Sequence, residues 1–301
     1  MLLNPTNIAS YLIVLLPLSL ITGPFFSDLS VVIIDLIFFY FIIKNKQYEI
    51  FNNNLFKFLL LFNIYISIRS IFADDIFLSL KSSLPYLRFL ILIFAINYFL
   101  NKNKNLINHF SKSIIVIIII LCLDALFQYI FGFNTLGFKI DNPDKLNGFF
   151  GDEAVLGSYL IRLFPLFIAS YFIVFNKKEN KFLFISIFSL ISITIFFSGS
   201  RSSIALLFLF ITIFLLLFKS FRKEMLTLLI SVVILLGLSS TLSEKIRYNI
   251  NYNLFDPIRT IFFQSKKSRT ENVKDKKIII FTQVYHTHYE TAYNMFKNNK
   301  F

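Results

Sequence analysis

The sequence predicts an all-α fold, a polytopic transmembrane helical bundle, and three observations predict it. Apolar residues fill 56% of 301 positions, with a mean hydropathy of +0.70, above the roughly half that is usual in water-soluble domains. They come in nearly unbroken runs, such as 113–131 and Lys181–Phe197, rather than as the one-sided stripes of soluble helices. The segments between the runs alternate in charge, as a chain crossing back and forth requires. Helix is the state these runs must adopt, because an unpaired backbone group in lipid costs several kcal/mol and a helix pairs all of its own. The short alternating segments of a membrane β-barrel are absent from the sequence.

Nine spans are predicted, at 8–22, 29–43, 55–72, 84–100, 113–131, 154–175, 182–198, 203–218 and 225–240. The bundle is then 1–240, and 241–301 is a separate external segment. Lys44, Lys46 and Lys57 flank one connection, and Lys102, Lys104 and Lys112 flank the next but one. Lys177, Lys178 and Lys181 follow, then Lys219, Arg222 and Lys223. The intervening connections carry Asp74/Asp75, Asp141/Asp144 and Asp152/Glu153. Excess Lys/Arg marks cytoplasmic loops, so the amino terminus is expected inside and the chain after Thr241 outside. That last segment has eleven Lys/Arg against five Asp/Glu, but long segments translocate largely regardless of charge. An exported basic segment excludes nucleic acid as a partner and favours anionic lipids or pyrophosphates. The first run lacks a basic start and an Ala-x-Ala exit, so it reads as a retained span.

Cys122, the only cysteine, lies within an apolar run, and the three histidines lack metal-ligand spacing. Disulfide, thiol and zinc chemistry therefore find no support. The polar residues that cost something carry more information. Arg162 lies inside the sixth span on a face with Val155, Ser158, Pro165 and Ala169, and a charge near mid-membrane costs about 2.5–3.5 kcal/mol. It reads as either a ligand-binding group in a cleft lined by small residues or a structural cation paired with Asp124. Asp124 and Gln128 are four residues apart on one helix face and read as a polar clasp or as part of a substrate cavity. The turn 198–203, Ser-Gly-Ser-Arg-Ser-Ser, offers Ser200 or a neighbour as a helix cap and Arg201 beside it. A helix amino terminus next to a guanidinium suits a phosphate, although an ordinary polar turn would look the same.

In 147–153, Asn-Gly-Phe-Phe-Gly-Asp-Glu, glycines permit a tight turn and Asp152 and Glu153 are expected in the first turn of the following helix. Arg69, Asp74, Asp75, Lys81 and Arg88 read mostly as headgroup-level anchors. Near the end, Tyr285, Tyr289, Ala292 and Phe296 recur at helical spacing, which predicts an amphipathic helix flanked by His286 and His288.

Three segments together resemble the O-antigen ligase and O-antigen polymerase family of bacterial surface-glycan enzymes. The stretch from Lys145 through Asp152 and Glu153 to Arg162 and Pro165 resembles an outward loop and its helix. Ser198 to Arg201 resembles the start of the shared domain, and His288 to Lys300 a helix of the large outer loop. The resemblance implies a multi-pass protein of the bacterial inner membrane that moves a glycan from undecaprenyl pyrophosphate to a sugar hydroxyl, on lipid A core or another glycan. It implies arginines on the pyrophosphate and a histidine activating the acceptor, with no metal or cofactor. The pyrophosphate-binding role carries over to Arg162 and Arg201, with Lys145, Asp152, Glu153 and Ser200 in support. Many relatives have arginine where this chain has Lys145, whose ammonium lacks the bidentate fork. The family's catalytic histidine has no matching position before Phe301, so the resemblance leads us to expect a truncated, inactive product. Ligase and polymerase stay open, as does a lipid-linked oligosaccharide flippase or transporter.

Overall fold

The computed structural model describes residues 4–140, 145–175, 181–217 and 283–298, with scattered helical positions between 222 and 234. These residues form helices and no strand. Two compact units divide the chain, Met1–Val232 and Val233–Phe301.

In the first unit, α1 (Pro5–Thr22) starts at a capping Asn4, whose side chain accepts from the Thr6 amide, with Pro5 at its first position. Both features suit a helix start. Gly23, at φ 118°, then turns the chain straight into α2 (Pro24–Asn45). After a short 3-10 turn come α3 (Asn54–Ile71) and α4 (Ile76–Ser83), the latter capped by Asp75 on the Leu78 amide at 2.9 Å. A proline has no N–H for the helical ladder; at Pro85 the chain tightens into a 3-10 turn and continues as α5 (Leu87–Lys102). Then follow α6 (Leu106–Phe131), α7 (Leu156–Val174), α8 (Lys181–Phe197) and α9 (Arg201–Leu217).

Among the described residues six segments are long and apolar enough to cross a membrane: α1, α2, α3, the kinked Ile76–Lys102, α6 and α7. The chain is therefore a multi-pass membrane protein. The apolar helices α8 and α9 are shorter, and the predicted span 225–240 lies outside the described residues for most of its length. Several expected boundaries move. The second span starts at Pro24, the fourth at Ile76, and the fifth at Leu106 rather than 113, so Lys112 belongs to α6 and not to a loop. Lys57 likewise sits inside α3.

Packing divides the unit into two apolar clusters. Ala9, Ile13, Ile34, Phe38, Ala95 and Phe99 join α1, α2 and α5. Phe164 of α7 meets Phe188 of α8 at 4.9 Å and Phe210 of α9 at 5.0 Å between ring centroids, geometries that favour aromatic pairs. α6 packs against both groups, touching α1, α5, α7 and α8. Large apolar side chains such as Phe58, Phe77 and Phe182 remain outside, 67%, 81% and 84% exposed. That exposure suits lipid, where van der Waals packing rather than the hydrophobic effect holds helices together.

The two ends differ. The starts of α1 and α6 and the ends of α2 and α5 share one end, where Asn45 donates to the Tyr98 hydroxyl at 3.4 Å and Lys102 borders Thr6 and Asn7. The other end gathers the Ser70–Ser83 hydroxyl pair at 2.9 Å, the Arg88–Asp28 ion pair at 2.7 Å and the chain after α6.

In the second unit, α10 (Gln283–Asn298) forms where the helical spacing predicts it. Tyr289, Tyr293 and Phe296 are exposed, as is His288; the His286 side chain lies outside the described residues.

Candidate functional site

The site is built on the last turns of α6. Gly132, in the left-handed conformation, ends that helix with its amide on the Gln128 carbonyl at 2.9 Å, a usual glycine stop. The chain that follows folds back over Asp124 and Gln128, which are 3% and 0% exposed. Asp124 Oδ1 accepts from the Thr135 amide at 2.9 Å and its hydroxyl at 2.6 Å. Gln128 Oε1 accepts from the Asn147 and Gly148 amides at 3.2 and 2.8 Å, and its Nε2 donates to the Phe138 carbonyl at 3.3 Å. Asn134, itself buried, completes the clamp: it accepts from the Leu136 and Phe138 amides and donates to the Gly148 carbonyl at 2.8 Å. Asp124 and Gln128 thus form a polar clasp, and what they hold is the loop between α6 and α7.

From Gly148 the chain passes through a 3-10 turn and a left-handed Gly151 into α7. Asp152 and Glu153 are exposed but precede the helix by three residues or more, so no carboxylate occupies its first turn. That corrects the expected placement: the Glu153 amide bonds the Phe150 carbonyl and the Val155 amide bonds the Glu153 carbonyl, which delays the helix to Leu156. Lys145 is exposed at the start of the same loop. Tyr159 anchors α7 to α1 by donating to the Pro17 carbonyl.

The turn 198–203 packs onto this helix start. A Cβ added to Gly157 would run into the Ser198 side chain and lie 3.1 Å from the Ser200 Cβ, so any larger residue there would force the turn to shift. Ser158 and Ser203 hydroxyls approach to 3.5 Å, and those of Ser200 and Ser203 to 2.7 Å. The Ile204 amide bonds the Ser200 carbonyl, which places Ser200 immediately before α9 as expected of a cap residue, although its hydroxyl meets Ser203 and Ser202. Arg201 opens α9; its side chain lies outside the described residues.

Arg162 stands one turn along α7 from Ser158, and residues four apart share a helix face. It is exposed together with Pro165, Leu166 and Ala169. The alternative pairing with Asp124 does not form: Asp124 Oδ1 is taken by Thr135, and its Oδ2 is buried without a hydrogen-bond partner. The structure thus brings Ser158, Ser200 and Ser203 together where α7 and α9 begin and sets Arg162 on the Ser158 face.

A second polar group escaped the sequence reading. Asp35, in the middle of α2, is 6% exposed and its Oδ1 has no hydrogen-bond partner. Asp28, two turns earlier on the same face, is paired with Arg88, whose Nε is also buried and unpartnered. Arg88 therefore reaches into the bundle instead of serving only as a headgroup anchor. An acid inside an apolar run was visible at Asp35; Asn63 on α3, buried with a free amide nitrogen, gave a weaker signal.

Among the described residues no three His, Cys, Asp or Glu side chains gather into a possible metal site. Fold and site define a polytopic helical membrane protein with a clamped loop over one end. No protein-family model, curated protein or solved structure matches this chain.

Proposed function

We propose that this protein takes part in O-antigen ligase-like glycan transfer, holding the pyrophosphate of an undecaprenyl-linked donor at the outer face of the bacterial inner membrane. The observation that carries the reading is the meeting of two polar helix starts: Gly157 and Ser158 of α7 lie against Ser198, Ser200 and Ser203 at the head of α9. A helix amino terminus attracts anions through its free amides and dipole. Arg201 begins one of these helices and Arg162 lies nearly two turns along the other.

In the transfer, the acceptor hydroxyl oxygen attacks the anomeric carbon, the bond to the pyrophosphate oxygen breaks, and undecaprenyl pyrophosphate leaves. The acceptor proton passes to a base, for which this chain is assigned no residue. Stabilising the departing pyrophosphate is the task its guanidinium groups suit. Lys145, Asp152, Glu153 and Ser200 are assigned supporting roles in this reading, and lipid A core or another glycan is the acceptor. The outward orientation rests on the basic connections at the opposite end, which the positive-inside rule assigns to the cytoplasm.

One observation favours a second reading, a lipid-linked oligosaccharide transporter. The buried Asp35 with the Asp28–Arg88 pair is of the kind that marks transport pathways. A photoreactive undecaprenyl-pyrophosphate glycan separates the two. Crosslinks concentrated at 156–162 and 198–203 are expected, whereas crosslinks along α2 and α5 would overturn the ligase-like reading in favour of transport.

A further inference from the structure

At the basic end of the bundle a cavity of about 700 Å³ opens between the end of α2, the chain just after it and the last turns of α5. Asn45, Lys46 and Glu49 line one side, and Asn97, Asn101 and Lys102 the other. With Gln47, the lining thus holds two ammonium groups, one carboxylate and four amide side chains. Lys102 is held over aromatic rings, its Nζ 3.8 Å from the Phe41 centroid and 5.6 Å from that of Tyr98. It also borders a smaller cavity of about 260 Å³ shared with Thr6, Asn7 and Ser10. Lys46 ends α2 in the left-handed conformation, φ 52°, as the one described non-glycine residue with positive φ. Glycine or asparagine is the usual residue at such a stop, so the lysine is kept there against the backbone's preference.

We propose that this cavity binds a phosphate group, that of an anionic phospholipid headgroup. Ammonium groups act as point charges for phosphate, and amide N–H groups supply further donors to its oxygens. The lipid as source follows from what lies beneath the polar groups. Asn101, Asn97 and Ile93 form one stripe on α5, passing from polar to apolar into the membrane, and Ile93 is 50% exposed. The apolar part of the cavity lining is Ile50 and, one turn below Tyr98 on α5, Phe94. The groove therefore presents donors at headgroup level and apolar walls below, matching an amphiphile rather than a free ion. Basic pockets between membrane helices on the cytoplasmic side recognise such headgroups.

The test is native mass spectrometry of the full chain in nonionic detergent, titrated with phosphatidylglycerol or with phosphatidylcholine of the same acyl chains. The Lys46→Gln/Lys102→Gln variant is expected to bind the first phosphatidylglycerol about thirtyfold more weakly, given about 1 kcal/mol per basic residue at the surface. Lys104→Gln/Lys112→Gln, with the same change in net charge, is expected to bind as the parent does. Glu49→Gln, which removes the one carboxylate, is expected to bind more tightly and so guards against loss of fold in the double variant. Equal losses in the two double variants, or no preference over phosphatidylcholine, would overturn the site. Displacement of the lipid by millimolar inorganic phosphate would overturn the lipid assignment; retention supports it.

Discussion

Arg88 of α5 donates to Asp28 of α2 at 2.7 Å, while Asp35, two turns deeper on the same α2 face, keeps one buried carboxylate oxygen without a partner. The guanidinium thus pairs with the acid nearer the helix start and forms no ion pair with the deeper one. Asp28 and Arg88 are 43% and 28% exposed, so their pair lies between the exposed and buried cases. Arg88→Ala should cost about 1 kcal/mol of stability in detergent unfolding, by removing the partner of the Asp28 carboxylate. Adding Asp28→Asn should recover part of that loss. A double variant as unstable as the sum of the singles would mean that the two residues do not interact.

The loop between α6 and α7 should depend strongly on Gln128. Gln128→Leu removes the acceptor for the Asn147 and Gly148 amides and the donor to Phe138. Leaving a buried polar group unpaired costs about 1–3 kcal/mol. Hydrogen exchange at Asn147 and Gly148 should accelerate strongly in Gln128→Leu and much less in Gln128→Glu, which keeps the acceptor.

Much of this was legible in sequence, for identifiable reasons. The apolar runs gave the helices, and the four-residue spacing of Asp124 and Gln128 gave their shared face. Helix ends were less legible. α6 begins at Leu106 because Asn108, His109, Ser111 and Lys112 extend it beyond the apolar run, where polar residues stay helical without needing hydrocarbon. The partner of Asp124 could not be read, since Thr135 reaches it only after the chain has turned at Gly132 and folded around Asn134. Asp152 and Glu153 looked like first-turn residues, but local amide bonds hold them outside the helix. Gly157 gave no sign of its role, because a close approach to Ser198 depends on which helices meet.

Gly157→Ala should therefore be unusually damaging for so small a change. Its methyl would collide with Ser198, and overpacking of this kind costs about 1–3 kcal/mol. A compensating Ser198→Gly should restore part of the thermal stability. Gly157→Ala with a parental melting temperature would show that the two helix starts are not packed as described.

Orientation is tested by reporter fusions. A fusion after Asn180 should read cytoplasmic and one after Ser268 external, from the alternation of basic connections. The same compartment for both would remove the predicted topology.

The central claim, that the paired helix starts hold a lipid pyrophosphate, is tested most directly by comparing two ligands. Binding of an undecaprenyl-pyrophosphate glycan and of its monophosphate counterpart would be measured in the purified parent, Arg162→Ala and Arg201→Ala. Each charge-assisted contact contributes about 1.5–3 kcal/mol, so each variant should bind the pyrophosphate roughly ten- to a hundredfold more weakly. The preference over the monophosphate should shrink with it. Parental affinity and preference in both variants, with the fold intact, would contradict the account.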